Sequence, residues 1–127
     1  MKTTHTYTDQ EAFDRAVRHA LKQGKRSVII ELRSSGEIVE HCAYRGEDGM
    51  MCPVGALIPD EEYDKTMERK SAAKLVTKGT PSLQGLNPNL LCSVQFTHDT
   101  YAPREWEKEF RSVAKRYGLT FPTMEEN

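Results

Sequence analysis

The sequence predicts an α+β fold: a small three-stranded antiparallel meander packed against four to five helices. Three observations carry this prediction. Apolar residues recur at helical spacing towards both ends of the chain, and short β-branched runs separated by turn residues lie between positions 27 and 54. Between them, His41 to Tyr63 (HCAYRGEDGMMCPVGALIPDEEY) gathers two of the three cysteines and three of the eight glycines.

The first predicted helix covers residues 8–23. Phe13, Ala16, Val17, Ala20 and Leu21 form its stripe, Thr8 and Glu11 supply a capping box, and Gly24 stops it. Residues 27–32 (SVIIEL) are β-branched and short, which favours a strand. After Ser34-Ser35-Gly36 a second strand is predicted over 37–44, with Ile38, Glu40, Cys42 and Tyr44 on one face and Val39, His41 and Ala43 on the other. Gly46-Glu47-Asp48-Gly49 reads as a hairpin loop, and Met50 to Val54 as a third strand at the sheet edge, because Pro53 cannot donate to a ladder. The central hairpin motif thus spans 37–63.

Within the helical region 60–78, Asp60 is the expected cap of a short helix from Glu61 to about Lys70, and a further helical turn or two runs from Ser71 to Lys78, ending at Gly79. Asn87-Pro88 opens a helix over 88–100 carrying Leu90, Leu91, Val94, Gln95 and His98. The last helix, 103–117, bears the stripe Trp106, Phe110, Val113, Ala114 and Tyr117, and Gly118-Leu119 closes it. The expected core comprises Phe13, Val17, Leu21, Ile29, Val54, Leu57, Ile58, Leu91, Val94, Trp106, Phe110 and Val113.

A chain of 127 residues accommodates one domain, 1–127. Lys plus Arg (18) nearly balances Asp plus Glu (19), so composition carries no nucleic-acid footprint. No apolar run approaches the ~20 residues of a membrane span, and MKTTHTYTDQE lacks the apolar core of a signal peptide. Three cysteines, an odd number, do not make a disulfide framework. These observations point to a cytoplasmic protein with reduced thiols and no membrane partner.

The segment Cys42 to Asp64 (CAYRGEDGMMCPVGALIPDEEYD) resembles a motif of small uncharacterised proteins encoded by phages, prophages and bacteria. HALKQGKRS (His19 to Ser27), VQFTHD (Val94 to Asp99) and the Trp106 helix ending Tyr117-Gly118-Leu119 extend the likeness over most of the chain. The resemblance implies no activity, substrate, cofactor or catalytic residue. Similar sequences carry glycine where this chain has Arg69, so the helix is expected to run further here.

Four clusters are candidates for chemistry. His41, Cys42, Cys52 and His98 include metal-ligating types, but zinc is commonly held by CxxC or HxxxH pairs and none occurs. Cys42 and Cys52 are expected as small buried hydrophobes. A thiol nucleophile, Cys42 or Cys52 with His98 and Asp99, needs a lowered thiol pKa. Adjacent helical residues project about 100° apart, so His98 and Asp99 are not expected to pair; His98 is expected to pack with one nitrogen on backbone, and Asp99 or Thr100 to cap the last helix.

Tyr44 and Arg45, with Asp60 and Tyr63, form the third cluster. Arg45 either binds an anionic ligand or bridges to Asp60 or Asp64, and the ion pair is favoured because both lie around one turn. Fourth, Lys70, Lys74 and Lys78 make a basic ridge if their helix is continuous, and Arg104, Lys108, Arg111 and Lys115 make another, interleaved with Glu105, Glu107 and Glu109. No phosphate-loop pattern is present. With no cofactor motif and no convergent acid–base set, the leading expectation is a non-enzymatic phage-type interaction protein that binds and modulates a host macromolecule, anti-defence or host takeover being a natural subclass. The alternatives are a small enzyme or nucleotide-ligand binder using Tyr44, Arg45, Cys52, His98 and Asp99, and a nucleic-acid binder using Lys70, Lys74 and Lys78.

Overall fold

Helix α1 (Asp9–Gln23) starts where the sequence supplies both halves of a capping box. The Thr8 hydroxyl accepts from the Glu11 amide at 3.1 Å, and the Glu11 carboxylate accepts from the Thr8 amide at 2.9 Å. Gly24, at φ 68°, ends it. The computed structural model describes residues 6–124, so the end of the chain beyond Met124, expected to fray, lies outside the described residues.

Strands β1 (Val28–Leu32) and β2 (Ile38–Cys42) pair antiparallel, from Val28 opposite Cys42 to Leu32 opposite Ile38. Their turn is closed by the Arg33 amide on Glu37 and the Gly36 amide on Arg33, each at 2.8 Å, with Gly36 at φ 91°. Ile38, Glu40 and Cys42 therefore share one face with Val28, Ile30 and Leu32.

The three-stranded meander does not form: among the described residues the sheet has two strands. Residues 50–54 contribute only an isolated bridge between Arg45 and Met51. The reason is competition for backbone groups. The Met51 carbonyl binds His19 Nε2 at 2.8 Å and Gln23 Nε2 at 3.1 Å, and its amide donates to Gln23 Oε1 at 3.1 Å. Pro53 offers no amide, and the chain then coils into a 3-10 turn, Gly55–Leu57. The loop expected over residues 46–49 reverses the chain between the two residues of that bridge, as a 3-10 turn (Glu47–Gly49) with Asp48 and Gly49 at positive φ.

The segment 60–78 is not one helix. A 3-10 turn (Lys65–Arg69) capped by Asp64 ends at Lys70, whose backbone is extended (φ −116°, ψ 145°). Ser71 then caps the short helix α2 (Ala72–Thr77). The cap of the 3-10 turn is Asp64 and not Asp60, and that turn stops at Arg69. Helix α3 (Pro88–Thr100) begins at Asn87, and α4 (Trp106–Arg116) follows a 3-10 turn, Pro103–Glu105. The Leu119 amide on Ala114 (2.8 Å), with Gly118 at φ 69°, closes α4 as a Schellman motif.

The helices enclose one core in which Trp106, Phe13 and Phe110 are fully buried with Val17, Val54, Leu57, Leu91 and Val94. Each large side chain contributes about 1.5–3 kcal/mol relative to exposure. Two residues expected there are less covered: Leu21 lies at the core's edge, and Ile29 is half-buried on the ribbon. The ribbon projects from this core instead of covering it.

Candidate functional site

The base of the ribbon is fastened to the end of α3 by one polar node. His98 is fully buried and stacks on Trp106 with ring centroids 5.3 Å apart. Its Nε2 accepts the Ser27 amide at 3.0 Å, so Nδ1 carries the hydrogen and donates to Asp99 at 2.7 Å. The Ser27 hydroxyl donates to the Ala43 carbonyl at 2.7 Å, crossing to the other strand. Arg26 binds the carbonyls of His98 (3.2 Å) and Tyr101 (2.7 Å), which the helix end leaves open, and Trp106 Nε1 donates to Tyr101 at 3.0 Å.

His98 and Asp99 thus pair directly, against the expectation from helical spacing. Asp99 sits in the last turn of α3, where its short side chain folds back over the neighbouring imidazole. Neither Asp99 nor Thr100 caps α4; the Glu105 carboxylate takes the Ala102 amide at 3.2 Å. The Cys42 thiol joins this pair: Cys42, His98 and Asp99 each place a ligand-type atom within 4.8 Å of the others. A metal on Nδ1 would move the imidazole hydrogen to Nε2, where it would confront the buried Ser27 N–H. The node fits a hydrogen-bond relay better than a metal centre.

The thiols are poorly disposed to attack. Burial, then the Asp99 carboxylate, pushes Cys42 up to about 12, and burial first, with the Asp99 charge adding to it, pushes Cys52 up to about 12 against the Gly55 amide that donates to its sulfur. At neutral pH both stay protonated, the opposite of an activated nucleophile. Cys52 lies in the core, not opposite Cys42 across a hairpin, so the two thiols do not face one another.

The centre of the sequence motif is likewise engaged in holding the chain. Arg45 donates to the carbonyls of Gly55 (2.8 Å) and Ile58 (2.6 Å), reaches Asp60 at 3.0 Å, and lies over the Tyr63 ring at 4.9 Å. Asp64 is not its partner: Thr66 holds that carboxyl below its usual range, through its amide first and its hydroxyl second. The Tyr44 hydroxyl donates to the Lys70 carbonyl at 2.6 Å, and burial raises its pKa. Glu68 collects the amides of Tyr44 and Arg45 (2.9 and 3.0 Å) and the Tyr63 hydroxyl (2.5 Å). Burial first, then Glu68, pushes Tyr63 up to about 12. Gly55 is required by closeness: a Cβ there would stand 2.3 Å from the Tyr44 carbonyl oxygen.

Tyr44 and Asp99 line one cleft, but Arg45 is spent on the Gly55 and Ile58 carbonyls, Cys52 lies in the core and His98 is fully buried, so the five do not converge on one pocket. The basic ridge lacks its scaffold, because Lys70 precedes α2, Lys74 lies within it and Lys78 caps its end. On α4, Glu107 and Arg111 pair at 3.1 Å in solvent.

What lies open is apolar. Leu32, Ile38 and Ile30 are 72%, 69% and 56% exposed on one face of the ribbon, and Phe96 is 58% exposed on α3. Cys42, at the base of that ribbon face, lines a cleft of about 330 Å³ with Tyr44, Lys70, Gln95, Phe96 and Asp99. Phe96 also walls a second cleft of about 340 Å³ with Tyr101, Val113 and Arg116. The sequence signal for these residues existed but was ambiguous. Both faces of residues 28–42 carry aliphatics, and only a missing third layer leaves one uncovered. Phe96 falls two positions after Val94, outside the helix's core stripe.

No helix among the described residues is long and apolar enough to cross a membrane. No protein-family model, curated protein or solved structure matches this chain.

Proposed function

We propose that this chain is a non-enzymatic interaction protein, of the phage-encoded type its central motif resembles, that binds and modulates a host macromolecule. The observation that carries the reading is the exposed apolar band of Ile30, Leu32, Ile38 and Phe96. Isolated exposed apolar residues are ordinary, but three large aliphatics on one ribbon face, continuing through Cys42 towards Phe96, form a patch of the kind that marks interaction sites. The second support is chemical. Arg45, Tyr44 and His98 are committed to holding the fold, and the Cys42 and Cys52 thiols are raised away from reactivity.

The test is capture of a defined host component on the immobilised protein, compared with the Phe96→Asp and Ile38→Asp variants. Both sites are exposed, so both variants fold, as circular dichroism checks. Capture by the wild-type chain that is lost in a variant supports the reading. Absence of any component retained at micromolar concentration, or retention equal in all three proteins, overturns it.

A further inference from the structure

The two faces of the ribbon differ in how their charges are met. On the face of Glu31, Arg33, Glu37 and His41, the charges satisfy one another: Glu31 lies 2.8 Å from His41 and 3.7 Å from Arg33, and Arg33 lies 3.8 Å from Glu37. On the other face Glu40 stands exposed beside Ile30, Leu32 and Ile38 without an ion pair among the described residues.

The edges differ as well. Residues 27, 33, 37 and 43 turn their main-chain groups inward, as the bonds from Ala43 to Ser27 and from Arg33 to Glu37 show. By antiparallel alternation the main chain of Val28, Ile30 and Leu32, and of Ile38 and Glu40, points outward. The β1 edge is closed at its base, where a Cβ on Gly46 would stand 2.7 and 2.9 Å from the Val28 nitrogen and oxygen. Along β2, Ile38 and Glu40 make no loop or side-chain bond with their outward groups among the described residues. An open strand edge of this kind is a template for another strand.

We propose that the free edge of β2 receives an extended strand of another protein, which sets an aliphatic side chain beside Ile38 and a lysine or arginine beside Glu40. This rests on the interaction reading and names the partner's chemistry. An antiparallel second copy does not fit the requirement. The outward positions of this ribbon are Val28, Ile30, Leu32, Ile38, Glu40 and Cys42, so either strand of a copy, in any antiparallel register of these strands, brings Glu40 an aliphatic, a thiol or another carboxylate and not a cation. In an added strand the two recognised side chains lie two residues apart, because neighbours on one face alternate.

The probes are two synthetic strand-forming peptides with an aliphatic residue and, two positions on, either lysine or glutamate. Titration into the 15N-labelled protein is followed at the amides of Ile38 and Glu40. The lysine peptide is expected to shift both amides and to bind about fivefold to tenfold more tightly than the glutamate peptide. Glu40→Lys, an exposed change, is expected to invert that preference. The proposal is overturned if neither peptide moves these amides, if the preference survives Glu40→Lys, or if light scattering shows that the chain occupies this edge as a dimer. Host capture that is lost in Phe96→Asp but persists in Glu40→Lys and in Ile38→Lys while the peptides fail removes the strand site and leaves the interaction reading in place.

Discussion

Replacing His98 by leucine perturbs the node that fixes the ribbon to the helices. The Ser27 amide, on a fully buried residue, would lose its acceptor, at about 1–3 kcal/mol for a buried donor left unpaired. Asp99 would lose a 2.7 Å donor, but water reaches that carboxylate, so the further loss is about 0.5–1 kcal/mol. Leucine retains part of the packing against Trp106, so the sum is about 1.5–4 kcal/mol. At about 3–5 °C per kcal/mol for a chain of this size, the melting temperature should fall by roughly 5–20 °C. Urea unfolding followed by circular dichroism measures the loss, with an unchanged m-value if the unfolded state is unaffected. His98→Gln retains a carbonyl able to accept from Ser27 and should lose less, and only the leucine variant should strip exchange protection from the Ser27 amide. A loss below about 1 kcal/mol, or equal losses in both variants with Ser27 protection intact, would refute this account of the node.

Three other outcomes follow from named contacts. Arg45→Ala should cost about 2–3 kcal/mol, because two partly buried carbonyls lose their donor, whereas Asp60→Ala, with its side chain 93% exposed, should cost under about 1 kcal/mol; thermal melts of the pair distinguish a clamp from an ion bridge. Gly55→Ala forces a Cβ to 2.3 Å from a carbonyl oxygen and should lower the urea midpoint more than alanine at Gly36, whose surroundings are open, although Gly36→Ala carries strain at φ 91°. Stability should also fall above pH 9. The Cys52 thiol titrates near 9.0 when unfolded and near 12 when folded, so between these values the unfolded chain has released a proton that the folded chain retains. Cys52→Ala should flatten that alkaline slope, by at most about 1.4 kcal/mol per pH unit, in unfolding curves at pH 9 to 11.

Helices α1, α3 and α4 were legible because their signals are local. A capping box, an Asn-Pro start, a 3.6-residue stripe and a glycine in the left-handed region each act within a few residues, and the structure ends these helices within a few residues of the predicted limits. The third strand failed because its backbone partners come from far away in sequence: His19 and Gln23 take the Met51 groups that a ladder would have used. Within 60–78 the first segment forms a 3-10 turn in place of a helix from Glu61, and the chain turns extended at Lys70, whose carbonyl accepts the Tyr44 hydroxyl, so the basic ridge has no continuous helix. The pairing of His98 with Asp99 was excluded on ideal helical angles, which do not hold for a short side chain folding back at a helix end.

The sequence by itself determined helices α1, α3 and α4, most of the buried side chains and the alternation of the two strands, since each depends on periodicity and on nearest neighbours along the chain. Tertiary structure alone decided which apolar face stays open. Alternation says that Ile30, Leu32 and Ile38 share a side with Glu40, but it cannot say whether another layer covers them. That depends on where the chain at Met51 is drawn and on how His98 anchors Ser27, which are contacts between residues 32 and 71 positions apart.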